Sequence, residues 1–175
     1  FNNMGKGKKQ RLQNKKLKEQ NDSEEEEKKA STDENESEEA ISKEQSLFFE
    51  FGLDKLDKSQ LLKRIIETED MHEIIVLTCA KDKDVRLKAT KEMCPCHVKA
   101  DRPEFWDRIF KLAHDDDENI RYQVLHNMCD GSPPHLEDRV VQTLEIFNRD
   151  NNKKIRRKAH QVLGNYLHGG DWNIM

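Results

Sequence analysis

The stretch Asp115-Asp116-Asp117-Glu118-Asn119-Ile120-Arg121 decides the fold, because its pattern recurs along the chain at a fixed interval. A β-branched residue followed by arginine occurs at Val85-Arg86, Ile120-Arg121 and Ile155-Arg156, each pair 35 residues after the one before it. A polar turn rich in acidic or amide side chains precedes each pair. A period of this length is typical of proteins built from stacked copies of one helical unit.

Apolar residues keep the same register on both sides of these pairs. Every copy carries one at eight and eleven residues upstream and at four and eight residues downstream of the β-branched residue. The upstream set is Ile74, Leu77, Ile109, Leu112, Leu144 and Phe147, and the downstream set is Ala89, Met93, Val124, Met128, Ala159 and Leu163. Their helical spacing predicts three pairs of α-helices. The second helices are expected over residues 85–94, 120–129 and 155 to about 167.

Capping residues set the predicted starts of these helices. Asp84 and Asn119 precede two of the second helices, where their side chains can accept from free backbone N–H groups. Asp101 and Glu104, with Pro103 between them, predict a capping box at the start of the middle first helix. The breakers expected to end the second helices are Gly131-Ser132-Pro133-Pro134 and Gly169-Gly170.

This turn-and-helix pattern resembles the HEAT-repeat family, whose signature is an Asp-rich turn followed by a β-branched residue and arginine. Residues 115–121 and 150–156 carry it, whereas Ala80 replaces the first aspartate of the earliest copy. The stretches MCPCHV, CDGSPP and DWNIM also resemble a HEAT-repeat subgroup, which implies no activity. Over about residues 70–168 the resemblance implies an all-α fold, a right-handed α-α superhelix (HEAT-like solenoid) of about three two-helix repeats. The repeats are expected at about 70–100, 101–134 and 135–170.

Stacking follows from the apolar pattern, because one helix pair cannot bury its apolar stripe alone. We expect Arg86, Arg121 and Arg156 to pair with the turn aspartate of their own or the next repeat. Trp106 is expected in the core, and Trp172 either caps the final repeat or forms an exposed anchor for a partner.

The first part of the chain has a different composition. Residues 1–40 hold 9 basic and 11 acidic residues with almost no large apolar ones, so they cannot offset their ordering entropy. We therefore predict a disordered basic-then-acidic tail over residues 1–45 and a helical repeat domain over 46–175. The basic block at 5–18 is either a solvated linker or an arm for nuclear import or nucleic acid.

Two segments between the tail and the repeats are predicted to be helical. One helix is expected to begin at Asp57 and to continue to about Thr68. Before it, four apolar residues are expected either to form a short helix over the open end of the stack or to serve as a docking peptide. These residues are Leu47, Phe48, Phe49 and Phe51.

Compartment and assembly are expectations from composition. No run of 18 apolar residues occurs, which excludes a membrane-spanning helix, and no secretory signal is visible. Four cysteines are too few for a disulfide scaffold, so we expect reduced thiols in the cytoplasm, or in the nucleus if the basic block is an import signal. The chain begins at Phe1, which we interpret as a fragment or processed product, and it is expected to be monomeric.

Candidate metal ligands occur at two places. Cys94, Cys96 and His97 have side chains of types that bind zinc. One residue separates the two cysteines, however, whereas zinc knuckles usually have two. We therefore prefer packing at a helix end as the interpretation, over metal binding or redox sensing. His72-Glu73 is similar to the iron-binding pairs of HEAT-like di-iron hydroxylases, which need several such pairs. We therefore expect no cofactor, no catalytic residue and no metal.

Two binding functions remain. The first is a non-catalytic scaffold or adaptor for another protein, using exposed residues of the second helices. The candidates are Lys88, Gln123, His126, Lys158 and His160. The alternative is a nucleic-acid-binding module that uses the basic tail and the 153–158 cluster. That cluster contains Lys153, Lys154, Arg156, Arg157 and Lys158.

Overall fold

A computed structural model describes residues 43–98 and 101–175 of the chain. Within these residues every regular element is a helix and there is no strand, which confirms the prediction of an all-α fold. A compact unit extends from Ser46 to Met175. The predicted tail, with its basic and acidic blocks, lies outside the described residues up to residue 42.

Eight α-helices and two short 3-10 helices make up the described part of the chain. The α-helices are α1 (residues 43–50), α2 (Lys58–Glu67), α3 (Met71–Leu77), α4 (Lys83–Glu92), α5 (Pro103–Leu112), α6 (Glu118–Cys129), α7 (Glu137–Phe147) and α8 (Lys153–Gly169); the 3-10 helices are Leu53–Lys55 and Pro134–Leu136. The predicted pairs are present, because α3 contacts α4, α5 contacts α6 and α7 contacts α8. The second helices also contact one another, α4 with α6 and α6 with α8.

The second helices begin earlier than predicted. The N-cap residues are Asp82, Asp117 and Asn152, and each side chain accepts a hydrogen bond from the backbone N–H two residues later. The prediction that Asp84 and Asn119 cap these helices is therefore wrong. Both lie inside the first turn, where their own N–H groups donate to the true caps at 2.8 and 2.9 Å.

The start of α5 also differs from the prediction. Arg102 is the N-cap residue and makes no side-chain cap, so the box expected from Asp101 and Glu104 does not form. Pro103 occupies the first turn, and its fixed φ and missing N–H reduce the need for a cap. The predicted helix from Asp57, in contrast, is confirmed: α2 has a complete capping box between Asp57 and Gln60.

The repeated apolar positions form the core. Val85, Ile120 and Ile155 are 0%, 0% and 1% exposed, so positions 35 residues apart occupy equivalent buried sites. Trp106, at 2% exposure, lies in the same core, as predicted. Its burial joins the middle helix pair to the continuous apolar cluster that includes both neighbouring pairs.

Chain segments on both sides of the predicted repeats add apolar residues to the core. Leu47 and Phe48 of α1 and the following Phe51 pack against the core, as a covering helix would require, whereas Phe49 is 66% exposed. At the other end, Trp172 is 5% exposed, so the expectation that it folds back is confirmed.

Hydrogen bonding fixes the position of Trp172. Its Nε1 donates to the hydroxyl of Ser132 at 2.6 Å. Its ring lies 6.0 Å from that of Tyr166. The segment after α8 is therefore held against the turn that follows α6.

Candidate functional site

Two of the three arginines of the repeat motif link successive helix pairs. Arg86 donates from Nε and Nη2 to Asp115 at 2.9 and 3.1 Å, and Arg121 donates in the same way to Asp150 at 2.7 and 3.0 Å. The predicted ion pairs form for Arg86 and Arg121, and both of these arginines reach the aspartate of the next turn. The prediction is wrong for Arg156, which forms no ion pair among the described residues. Arg156 donates from Nη1 to the carbonyl groups of residues 150 and 151 at 2.6 and 2.9 Å. One of the five candidate nucleic-acid contacts is thus held in its own turn.

These contacts shift the protonation equilibria of their partners. Burial acts to raise the pKa of Asp150, but hydrogen bonds from Arg121 and from the backbone N–H of Asn152 outweigh it, so the pKa lies below its usual range. The hydrogen bond to Asp115 likewise raises the pKa of Arg86 against the opposing effect of burial. Both ion pairs are therefore present at neutral pH and contribute to structure.

A second cluster of cations lies at the start of α8. We call Lys153, Lys154, Arg157 and Lys158 the α8 basic patch; together with Tyr122 and Gln161 these residues line an open surface depression. The Nζ of Lys154 lies 4.1 Å from the centroid of the Tyr122 ring, at cation–π distance. Within the described part of the chain, no residue of the patch forms an ion pair.

Cations at the starts of two earlier helices, α2 and α4, are paired with acidic side chains. Lys58 pairs with Asp82 and Asp84, and Lys83 pairs with Asp117 at 3.4 Å. In the last repeat, the position of these aspartates is occupied by Asn152, whose side-chain amide donates to Glu118 at 2.6 Å. The α8 basic patch therefore carries positive charge that no ion pair among the described residues neutralises.

The predicted protein-binding residues do not form one group. Lys88 Nζ donates to Glu92 at 2.6 Å within α4, and Gln123 Nε2 donates to Asn127 at 2.8 Å within α6. His126 is half-buried and His160 is exposed. Lys158 is the one candidate that belongs to the α8 basic patch. Sequence reasoning missed Tyr122, although the 35-residue register places it between Leu87 and Arg157.

A group of possible metal ligands forms where α4 and α6 end. The Sγ atoms of Cys94 and Cys96 and a carboxylate oxygen of Asp130 all lie within 4.8 Å of one another, and the Cys94 thiol donates to Asp130 Oδ2 at 3.1 Å. His97 is outside this group; its Nδ1 faces Glu92 at 3.8 Å. The sequence did not indicate Asp130, which comes from the following helix pair.

Backbone contacts hold the Cys-Pro-Cys loop in place. The N–H groups of His97 and Val98 both donate to the carbonyl of Cys94, at 2.9 and 3.1 Å. Pro95 packs on Gly131 so closely that a Cβ there would lie 3.1 Å from the Cβ of Pro95. The absence of a side chain at Gly131 therefore lets the loop approach the end of α6.

Burial favours the protonated, neutral form of the Cys94 and Cys129 thiols. It raises the pKa of Cys94 to about 12, assisted by the hydrogen bond with Cys96. It also raises the pKa of Cys129 to about 12. Among the described residues no disulfide is present, and Cys94 and Cys129 are buried at helix ends, as the packing interpretation predicts.

The His72-Glu73 pair has a structural environment unlike a metal site. Glu73 is 3% exposed and accepts from Arg64 Nε at 2.6 Å and from Thr68 Oγ1 at 2.5 Å. His72 is exposed, and its ring lies 5.6 Å from that of Phe51. Within residues 43–98 and 101–175, the one cluster of three possible metal-ligating residues is the cysteine–aspartate group.

Comparison of the chain with protein-family models, with curated proteins and with solved structures found no match. In the part of the chain that the structure describes, every helix is too short or too polar to cross a lipid bilayer. Function is therefore inferred from the geometry of the chain's own side chains.

Proposed function

We propose that residues 46–175 form a HEAT-like right-handed superhelix of three repeats that binds an acidic segment of another protein and is not an enzyme. Three successive helix pairs support the repeat architecture, as do the contacts of α4 with α6 and of α6 with α8. The ladder formed by Arg86 with Asp115 and Arg121 with Asp150 supports a constant step from one pair to the next. Repeat proteins of this kind use an extended concave surface to bind partners, and we expect the second helices to form that surface here.

The observation that carries the binding proposal is the uncompensated charge of the α8 basic patch. Four cations lie within the first two turns of one helix, where the helix dipole adds positive potential. Tyr122 supplies an aromatic surface beside them, which favours a peptide that combines acidic and apolar side chains. Lys158 connects this site with the protein-binding surface expected from the sequence.

Nucleic acid is the second candidate, because the same cations could contact phosphate groups. Acidic residues lie in and next to the turn before α6, however: Glu118 is hydrogen-bonded to Asn152, the N-cap residue of α8, and Asp116 is exposed in that turn. A long polyanion that followed the edge of the helix pairs would meet these carboxylates, whereas a short acidic segment would not. This arrangement favours a protein partner.

Photo-crosslinking in cells tests the proposal directly. The photoreactive residue p-benzoylphenylalanine replaces Gln161, an exposed residue that lines the depression, in the full chain. The matched control places it at Lys63, which is 73% exposed on α2. We expect a discrete protein adduct from position 161, absent from position 63, and we expect mass spectrometry to show an acidic stretch at the crosslinked site.

Charge reversal gives the specificity control. Lys154→Glu with Arg157→Glu should abolish the adduct, whereas Lys81→Glu with Arg149→Glu changes the net charge equally at exposed positions and should leave it intact. Equal adducts from positions 161 and 63 would exclude the proposed surface. Adducts with nucleic acid alone, together with salt-sensitive binding of arbitrary RNA or DNA, would establish the second candidate instead.

A further inference from the structure

We propose that Cys94, Cys96 and Asp130 bind one zinc ion that joins the end of α4 to the end of α6. The inference is independent of the α8 basic patch. It depends on a cluster of three donor atoms from two different helix pairs, all within 4.8 Å of one another. Arg86 already links the α3–α4 pair to the α5–α6 pair near the start of the second helices. The zinc site would link the same two pairs where α4 and α6 end.

The distances need little change to accommodate zinc. With Zn–S bonds of about 2.3 Å and Zn–O bonds of about 2.0 Å, donor atoms around a tetrahedral ion lie roughly 3.5–3.8 Å apart. The Cys94 Sγ and Asp130 Oδ2 atoms are 3.1 Å apart, and the whole group falls within 4.8 Å. Cys96 is exposed, and we expect rotation of its side chain to bring its Sγ to the ion.

The donor types select the metal. Two thiolates are poor ligands for Mg²⁺ and Ca²⁺, which prefer oxygen, and a carboxylate is a poor ligand for Cu⁺, which prefers sulfur. Zn²⁺ accepts sulfur and oxygen together in tetrahedral geometry. Because Cys96 is exposed, a water molecule can reach the fourth position from solvent.

The loop is organised before any ion binds. The backbone bonds from His97 and Val98 to the Cys94 carbonyl fix the direction of the chain between the two cysteines. Pro95 packed on Gly131 sets the distance between this loop and Asp130. Folding therefore orders the Cys-Pro-Cys loop before zinc binds, and this lowers the entropic cost of zinc binding.

Binding has a defined proton balance. Zn²⁺ replaces the protons of both thiols, so the two neutral thiols, the Asp130 carboxylate and one Zn²⁺ give a site of net charge −1 and release two protons. The hydrogen bond from the Cys94 thiol to Asp130 is lost, and both atoms become ligands. Affinity is therefore expected to rise with pH.

Cobalt titration tests the site, because Co²⁺ occupies zinc sites and reports its ligands by absorption. The full chain is stripped of metal, kept reduced with a phosphine and titrated with Co²⁺. We expect one Co²⁺ per chain, tetrahedral d–d bands, a thiolate-to-cobalt charge-transfer band and displacement of all these by one equivalent of Zn²⁺. Native mass spectrometry should show the same stoichiometry for zinc.

Variants separate a ligand role from a structural one. Cys96→Ser alters an exposed side chain and should weaken zinc binding by more than about 100-fold while the helical circular dichroism remains unchanged. Asp130→Asn should weaken it by at least about 10-fold. His97→Ala, at an exposed residue outside the cluster, is the matched control and should bind zinc as the unaltered chain does.

Four results would overturn the proposal, three of them from the cobalt and zinc experiments. Those three are the absence of a charge-transfer band at saturating cobalt, zinc binding that is unchanged in Cys96→Ser, and a loss in His97→Ala as large as that in Asp130→Asn. Stoichiometric binding of Cu⁺ without binding of zinc would also overturn it.

Discussion

Arg121 contacts two successive turns at once. Its Nε and Nη2 donate to Asp150 of the following helix pair at 2.7 and 3.0 Å, while Nη1 donates to the carbonyl groups of Asp115 and Asp116 at 2.8 and 3.0 Å. A planar guanidinium can form this double fork, whereas a lysine ammonium cannot. The contact therefore explains why the motif needs arginine after the β-branched residue.

Loss of this guanidinium should be costly. Arg121→Ala leaves the Asp150 carboxylate, 7% exposed, without its partner, and we expect a loss of about 2–4 kcal/mol in the free energy of unfolding. Arg121→Lys should recover less than half of that loss. Arg149→Ala, at an exposed arginine three residues before Asn152, serves as the control and should change stability by less than about 0.5 kcal/mol. Urea unfolding of the three variants measures this, and equal midpoints would contradict it.

Acid should weaken the same contact. The pKa of Asp150 is lowered on folding, so the ionised carboxylate stabilises the folded state. That contribution is fully present above the unfolded pKa of about 3.9 and is lost as the pH falls through the lower folded pKa. We expect the unfolding free energy of Asp150→Asn to fall less between about pH 5 and pH 3 than that of the unaltered chain. Arg121→Ala should also reduce the dependence of the unfolding free energy on pH. If this dependence were the same in all three proteins, the explanation would be contradicted.

The position of the caps can be tested by paired substitutions in one turn. Asp117→Ala removes the side chain that accepts from the Asn119 N–H, and we expect a loss of about 1 kcal/mol. Asn119→Ala, inside the first turn, should cost less than about 0.5 kcal/mol. Thermal unfolding monitored by circular dichroism distinguishes the two variants. A larger effect at residue 119 would restore the assignment expected from the sequence.

Trp172 should stabilise the last helix pair. Trp172→Ala empties a buried site and should cost about 3 kcal/mol, whereas Trp172→Phe loses chiefly the hydrogen bond to Ser132 and should cost about 1 kcal/mol. Leu167→Ala is the control, because Leu167 is 78% exposed. Urea unfolding of all three variants is monitored by circular dichroism. Tryptophan fluorescence is an additional probe for Leu167→Ala, which retains Trp172. If Trp172→Ala were as stable as Leu167→Ala, the packing of this residue would contribute nothing.

The sequence was sufficient to predict which repeated positions are buried, because those positions follow from the 35-residue spacing of apolar residues. Val85, Ile120 and Ile155 could be aligned without knowledge of any contact, and they are equivalently buried. The predicted N-cap positions were wrong by two residues because each turn contains several residues of types that can cap a helix. Asp117 and Asn119 are both good caps by residue type, and only the backbone conformation decides between them.

The candidate sites were less accessible to sequence reasoning. The cations of the α8 basic patch are visible in the sequence, but their lack of ion-pair partners depends on how neighbouring helices pack. Asp130 was missed because it meets Cys94 across 36 residues of chain, through the contact of Pro95 with Gly131. Such a meeting depends on the geometry of two helix ends, which spacing alone does not determine.

The forward reach of the motif arginines limits how this chain can change in length. Removing residues 116–150 would place Asn151 directly after Asp115, so that Asp115 would stand before α8 as Asp150 does now. An excision of another size would rotate every following side chain by about 100° for each residue of mismatch within a helix. We therefore expect the chain to tolerate the gain or loss of 35 residues better than the gain or loss of another number.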